Sequence, residues 1–394
     1  LTLSSAAQAT NGDMLFGVAP AARAMGGTGV AAPQDAISAI FANPAAVCMG
    51  PYCPGSQTVF AATLYTPTTK AAVTVNGVET AAESDMKPFI IPAIGVIIPY
   101  NDRLRFGFGM FGIAGMGVDY RNAGLPDLNP QTPANEGDIY TQIQVMKFAP
   151  NVAYLVTPDF SIGASLHLLY GSLDLGQGMS HNYAVGGQVG AIYKIDSVSL
   201  GLSYTTPEET SHQKVSDFGN PDLVRRSLSL ESPHNIAVGV AWRPTNKLLV
   251  EADLKWLNWA NASGYKDFDW ENQWVYAVGV QYKDPDGLIL RGGYNYGKNP
   301  VKMHDGFNPG GTTMVQGKAL NTTSYEYMRI IGFPAAAEHH FTVGVGYRFD
   351  SSFEAHIGAM YALNKKISES GGPFKFSAEL QETSYDVGLV WSFF

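Results

Sequence analysis

The stretch "HNIAVGVAW" (234–242) alternates with period two: Ile236, Val238, Val240 and Trp242 share one face, and Asn235, Ala237, Gly239 and Ala241 the other. "HFTVGVGYRF" (340–349) repeats the pattern, with Phe341, Val343, Val345, Tyr347 and Phe349 against Thr342, Gly344, Gly346 and Arg348. "LLVEADLKW" (248–256) sets Leu248, Val250, Ala252, Leu254 and Trp256 opposite Glu251, Asp253 and Lys255. Successive side chains of a strand point to opposite faces, so each run is a strand with one apolar face and one small or polar face. Runs of this length cross a bilayer at a tilt. A soluble sandwich with one wet face would use strands nearer ~5–6 residues and would need two sheets to bury the apolar faces together.

Composition agrees with the membrane reading. Only 15% of the 394 residues are charged, against about 25% in an average soluble protein. Mean hydropathy is nevertheless close to neutral at -0.03, because lipid-facing and lumen-facing residues average out. No run approaches the ~18 apolar residues of a transmembrane helix, which excludes a helical membrane protein. The net charge of -9 argues against nucleic acid, since a phosphate backbone demands a basic surface. "AAQAT" (6–10) resembles the small-residue end of a signal peptide; either the chain is mature or a few signal residues remain.

About fourteen such segments can be counted. They begin near 56, 88, 103, 141, 160, 183, 197, 232, 247, 272, 287, 338, 352 and 381. Their connections alternate in length. Short turns are expected at 99–102, 157–159, 195–197, 244–246, 283–287 and 350–352, and long loops near 67–87, 119–140, 174–182, 207–231, 259–271, 297–335 and 364–380. This predicts an all-β, closed antiparallel transmembrane barrel, with short periplasmic turns, long outer loops and both termini in the periplasm. Closure removes the sheet edges that lipid would not tolerate. The C-terminal strand "YDVGLVWSFF" presents Tyr385, Val387, Leu389, Trp391 and Phe393 on one face and leaves Phe394 in the other parity.

Residues 1–54 lack alternation and are rich in small residues, which suits a plug packed in the lumen, with 55–394 as the barrel. Gly26, Gly27 and Gly29 match neither phosphate-loop pattern. The third strand, "LRFGFGMFGIAGMGVDY" (104–120), is unusually glycine-dense. Its expected lipid face runs Leu104, Phe106, Phe108 and Met110, then empties at Gly112 and Ala114, and resumes at Met116, Val118 and Tyr120. Glycine inside a strand weakens pairing and often marks a bulge. Phe111 and Ile113 point inward and outline an apolar path beside Gly109, Gly112, Ala114 and Gly115. Simple packing of these glycines on the plug is the bland alternative.

The segment "ARAMGGTGVAAPQDAISAIFANPAAV" (22–47), with Asp35 and the Asn43-Pro44-Ala45 step, resembles the FadL family of outer-membrane transporters for long-chain fatty acids and aromatic hydrocarbons. "VGAIYKIDSVSLGLSYTTPEE" (189–209), "SPHNIAVGVAW" (232–242) and "LKWLNW" (254–259) are similar too. The resemblance implies a plugged barrel of the Gram-negative outer membrane that binds hydrophobic molecules in its lumen. It also implies passive release sideways beside a kinked third strand. The partners it implies are a hydrophobic small molecule and the surrounding lipid and lipopolysaccharide, with the barrel a monomer. No cofactor, metal or energy source is implied.

Asn43-Pro44 reads as a turn starting the plug's last leg. Cys48 and Cys53, the chain's two cysteines, are expected to bridge in an oxidising periplasm, with two free thiols as the alternative. Phe16, Phe41, Phe111, Ile113, Met328, Ile331 and Phe333 are the expected solute-binding residues. In the longest loop, "YEYMRIIGFP" (325–334) is expected to expose Tyr325, Tyr327, Met328, Ile330, Ile331 and Phe333 to capture the solute, or else to pack as a roof. "NAGLPDLNP" (122–130) adds Leu125 and Leu128, and Arg329 or Lys318 is available for a carboxylate. No serine is placed to partner His339, His340 or His356, so catalysis is not expected. A metal site from His304, His339 and His340 is weaker than solvated strand-end histidines. Glu251, Asp253 and Lys255, with Arg291 and Arg348, are read as bracing wall to plug. An unselective porin or a structural or adhesin barrel is the rival.

Overall fold

The computed structural model describes residues 11–48, 56–128, 139–218 and 224–393. Fourteen antiparallel strands form a closed ring. In chain order they are β1 (Ser56–Val75), β2 (Phe89–Pro99), β3 (Leu104–Asp119), β4 (Tyr140–Thr157), β5 (Phe160–Asp174), β6 (Ser180–Ile195) and β7 (Val198–Thr205). The second half is β8 (Asn235–Trp242), β9 (Leu248–Leu257), β10 (Gln273–Lys283), β11 (Leu288–Gly297), β12 (His339–Arg348), β13 (Phe353–Gly371) and β14 (Phe374–Phe393). Each pairs with its chain neighbour, and β14 closes on β1 from Ser56↔Phe393 to Val75↔Phe374. Ring closure gives every strand two partners, which a hydrocarbon environment requires.

The alternation read from sequence is the alternation of exposure. Ile236, Val238, Val240 and Trp242 are exposed, as are Phe341, Val343, Val345 and Tyr347, and Tyr385, Val387, Leu389 and Trp391. Their neighbours of opposite parity are mostly buried inside the ring. So large an apolar belt on one molecule has lipid as its physical complement. Among the described residues no helix is long and apolar enough to cross a membrane; the crossing elements are strands.

The short turns lie where expected, and the long connections are built. Val78–Glu83 folds back on the upper half of β1. A hairpin of Glu208–Ser216 and Arg226–Ser232 follows β7. One expectation is corrected: 364–380 is no loop, because β13 and β14 stay paired up to Gly371↔Phe374. Above the belt this hairpin packs on loops instead of lipid, so the outward apolar face that marks a spanning strand disappears. Phe376, fully buried there, stacks on Phe307 at 5.8 Å and meets Tyr327 at 5.5 Å.

Residues 11–48 run against the inner faces of the strands, and every one of them is buried or half-buried. Two α-helices, α1 (Pro20–Arg23) and α2 (Ala36–Ala42), and a 3-10 helix, Pro44–Cys48, interrupt the segment. Asp35 caps α2 reciprocally: its carboxylate accepts from Ser38 N at 2.8 Å, and Ser38 Oγ accepts from Asp35 N at 3.0 Å, satisfying donors that a helix start leaves orphaned. The strands meet the segment with glycines. A Cβ at Gly201 would lie 2.0 Å from Val30 O, one at Gly163 2.4 Å from Ala45 N, and one at Gly293 2.2 Å from Gly26 N. The inner glycines are there because another backbone occupies the space of a side chain.

Candidate functional site

Three inward side chains of β9 hold the N-terminal segment by its backbone. Glu251 accepts from Ala31 N and Ala32 N at 3.0 and 2.8 Å, and Asp253 from Gly29 N and Val30 N at 3.0 and 3.2 Å. Lys255 donates to the carbonyls of Phe16 and Gly27 at 3.2 and 2.9 Å. Across the ring, buried Arg23 pairs with Asp386 of β14 at 2.8 Å and donates to Ser384 Oγ at 2.7 Å. Asn43 donates to the carbonyls of Val30, Ala191 and Leu202 at 2.8, 3.2 and 3.3 Å, and its own Oδ1 accepts from Ala45 N. The Asn43-Pro44-Ala45 step therefore fixes the segment to β6 and β7. Of the two arginines read with this row, Arg291 bonds Gln281 and His356 within the wall, and Arg348 pairs with Glu354 near a short turn.

On the other side of the ring the wall is interrupted. β3 pairs with β2 only from Ala93↔Phe111 down to Pro99↔Arg105, although β2 itself continues up to Phe89. The next residue of β2 is Pro92, which has no N–H to offer. On its far side β3 pairs with β4 through a bulge: Gly112 faces Met146 and Ala114 faces Val145, leaving Ile113 unpaired. Above the bulge the strand edge that β2 abandons is taken by the N-terminal segment. Leu15 N donates to Ile113 O at 2.8 Å, and Gly115 N to Asp13 O at 2.9 Å.

The bulge corrects the expected parity. One extra residue inverts every side chain beyond it, so Met116 and Val118 are buried on the inner side and Gly115 and Gly117 take the outer parity. The emptied outer face is accordingly Gly112, Gly115 and Gly117, while Ala114 points inward. Gly109 faces Ile40 and the Phe111 ring.

Inside, a cavity enclosing about 810 Å³ between atoms, part of it open to solvent, lies between the N-terminal segment and the wall. Phe16, Phe41, Phe111 and Ile113, four of the sequence-selected residues, line it together. Phe41 and Phe111 meet edge to face at 5.6 Å. Sequence reasoning missed Met14, Leu15 and Ile40 on the same wall, and a polar patch of Lys147, His167 and Glu208. Lys147 was legible as an inward position of β4; Glu208 lies in a connection with no alternation to announce it.

The other selected residues lie in the roof. Phe333 lines a second cavity of about 370 Å³ with Asp13, Tyr265, Phe268 and Trp270. Ile331 is fully buried in a π-helical turn, Met328–Gly332, and Met328 is half-buried beside Gly332. The exposed loop patch is thus corrected. Tyr325, Tyr327, Ile330 and Ile331 are buried, as is Leu125, so this segment packs as a roof. Arg329 is not available to a solute either: it contacts Glu326 at 2.5 Å, Glu369 at 3.2 Å and Phe268 O at 2.8 Å. His304 joins that network, with Asp269 and Glu326 at 2.8 and 2.9 Å, and not His339 or His340. The hydrogen bond to the Glu326 carboxylate holds the His304 imidazole above the usual histidine pKa. Cys48 contacts Arg103 O at 3.2 Å; Cys53, its expected partner, lies outside the described residues.

The model of the family described as "Outer membrane protein transport protein (OMPP1/FadL/TodX)" matches residues 2–185 and 174–306. No curated protein sequence matches the chain. Among solved structures, the P. putida toluene transporter TodX superposes with a TM-score of 0.71 at 19% identity, over 96% of this chain and 99% of that one. A Pseudomonas aeruginosa FadL homologue gives a TM-score of 0.71 at 16% identity over 97% and 100%. The Ralstonia pickettii toluene transporter TbuX gives 0.67 at 18% over 96% and 99%. At these identities the likeness speaks for the barrel fold.

Proposed function

Because the chain belongs to the outer-membrane transport protein family of OMPP1, FadL and TodX, we propose that it carries hydrophobic compounds passively inward. The solute binds in the lumen cavity and leaves sideways into the membrane between β2 and β3. Residues 1–54 act as the plug, with both termini in the periplasm and outer-membrane lipid and lipopolysaccharide around a monomeric barrel. Phe16, Phe41, Phe111 and Ile113 form the apolar contact surface, and the gap at Gly112 is the exit. Met328, Ile331 and Phe333 belong to the entry side and contact solute only as the roof loosens. A Cys48–Cys53 bridge stiffens the junction of plug and wall.

The observation that supports this reading is the coincidence of two features at one place. The apolar wall of the cavity reaches Phe111 and Ile113, and there the β2–β3 ladder stops. A sheet that leaves backbone groups unpaired at membrane depth does so only where protein or a passage covers them. An unselective porin would want an open lumen, and the buried 11–48 segment speaks against it. A family of transport proteins equally favours no enzyme.

The test is uptake in cells lacking their own such transporter, comparing labelled toluene with a labelled long-chain fatty acid. Wild type and Gly112→Arg are compared at matched surface expression. A Cβ at Gly112 would already lie 2.6 Å from Ile91 Cγ2, so arginine is forced against Ile91 across the β2–β3 break, and uptake is expected to fall to background. Unchanged uptake in the variant would remove the exit from this position. No uptake of either solute by wild type would return the porin or structural reading.

A further inference from the structure

The lumen cavity has an apolar wall and one polar patch, and the patch is electrically closed. Lys147 Nζ of β4 lies 3.1 Å from Glu208 Oε2, and His167 Nδ1 of β5 lies 2.5 Å from Glu208 Oε1. All three side chains are buried. The wall is shaped around the carboxylate: a Cβ at Gly186 of β6 would lie 2.4 Å from Glu208 Cγ. The other cation on the cavity, Lys255, is committed to the carbonyls of Phe16 and Gly27. Asp253 and Glu251 follow it on the same inward face of β9. An incoming carboxylate would meet the Glu208 anion beside a cation already neutralised, and a like charge in a desolvated site is repelled strongly.

Hydrogen-bonding capacity remains, however. Lys147 has three N–H donors and the ion pair takes one. Asn235 also lines this cavity, and its buried Oδ1 has no hydrogen-bond partner among the described residues. A hydroxyl both accepts and donates; an ionised carboxylate only accepts.

We propose that Glu208 is a specificity-determining residue: by neutralising Lys147 it fits the lumen cavity to an uncharged apolar solute bearing a hydroxyl and turns away ionised carboxylates. This rests on the lumen cavity being the solute site, as proposed above. It makes the selectivity a property of one carboxylate that enters the barrel from the connection after β7.

The experiment uses the full chain purified in detergent and equilibrium dialysis near neutral pH with three probes of one ring: toluene, 4-methylphenol and 4-methylbenzoate. Wild type is expected to hold 4-methylphenol at least about tenfold more tightly than 4-methylbenzoate. Glu208→Gln, which keeps the shape in the Gly186 slot, frees the Lys147 charge and is expected to reverse that order. Lys147→Gln removes the cation and keeps the anion, so it is expected to weaken 4-methylbenzoate further; it also serves if Glu208→Gln does not fold. Equal binding of phenol and benzoate by wild type, or an unchanged order in Glu208→Gln, would overturn the proposal. Binding of none of the probes, toluene included, would overturn the lumen site and this inference with it. Binding of toluene without discrimination between the other two would overturn this inference alone.

Discussion

The two sides of the barrel treat the N-terminal segment in opposite ways. Along β7 to β11 the wall is unbroken, and it receives the segment on glycines and fixes it with Glu251, Asp253, Lys255 and Asn295, the last donating to Gly26 O at 3.1 Å. At β2 and β3 the wall is incomplete, and the segment itself supplies the missing strand edge through Asp13 and Leu15. One polypeptide stretch is thus held by side chains on one side and forms part of the wall's own backbone ladder on the other. The two sides are distinguished by who makes the backbone hydrogen bonds, and the proposed passage lies on the side where the segment makes them.

Breaking the tight side should be costly. Arg23→Met leaves Asp386 buried without its cation, and removal of one partner of such a pair costs about 3–5 kcal/mol. The folded, heat-modifiable band on gels is expected to disappear at a markedly lower temperature; an unchanged transition would mean that the pair does not hold the segment. Gly201→Val forces a side chain into Val30 O and is expected to cost about 1–3 kcal/mol by overpacking. Its counterpart nearer the interrupted side, Gly107→Ala, meets the movable end of Ile40 at 3.2 Å and Asn151 Cβ at 3.4 Å and should shift the same transition far less. Equal shifts at the two positions would erase the difference between the sides.

The smallest effect concerns the roof. His304 titrates above its unfolded value of ~6.5 because Glu326 accepts its hydrogen bond first and foremost. A raised folded value means that the stabilisation is complete below pH ~6.5 and is lost as pH rises through the folded pKa. His304→Gln should therefore speed hydrogen exchange of the 300–330 loop below pH ~6.5 and change little at alkaline pH. A difference that instead grew with pH would have the sign wrong.

Most of the barrel was legible because lipid imposes a strict rule on every second residue. Thirteen strand starts fall within three residues of their expected positions, and that of β14 lies at Phe374, upstream of the expected 381. The rule lapses where lipid does. The top of the β13–β14 hairpin packs on Phe307 and Tyr327, so its sequence carried no outward apolar row. The bulge at Ile113 was legible as a glycine-dense strand but not as a phase change, since residues 111–118 are small or apolar on both faces. The polar patch was illegible for a further reason: Lys147, His167 and Glu208 come from separate elements that only the closed ring brings together.

The proposed exit can be tested by closing it reversibly. A Cβ at Gly112 would lie 4.0 Å from Ile91 Cβ, within the span of a disulfide. Ile91→Cys/Gly112→Cys, in a background with Cys48→Ser and Cys53→Ser, stitches β2 to β3 across the break. Uptake of labelled hydrophobic solute by cells carrying this variant should be lost on oxidation and return on reduction, with surface expression constant. Full uptake with the bridge formed would contradict passage between β2 and β3.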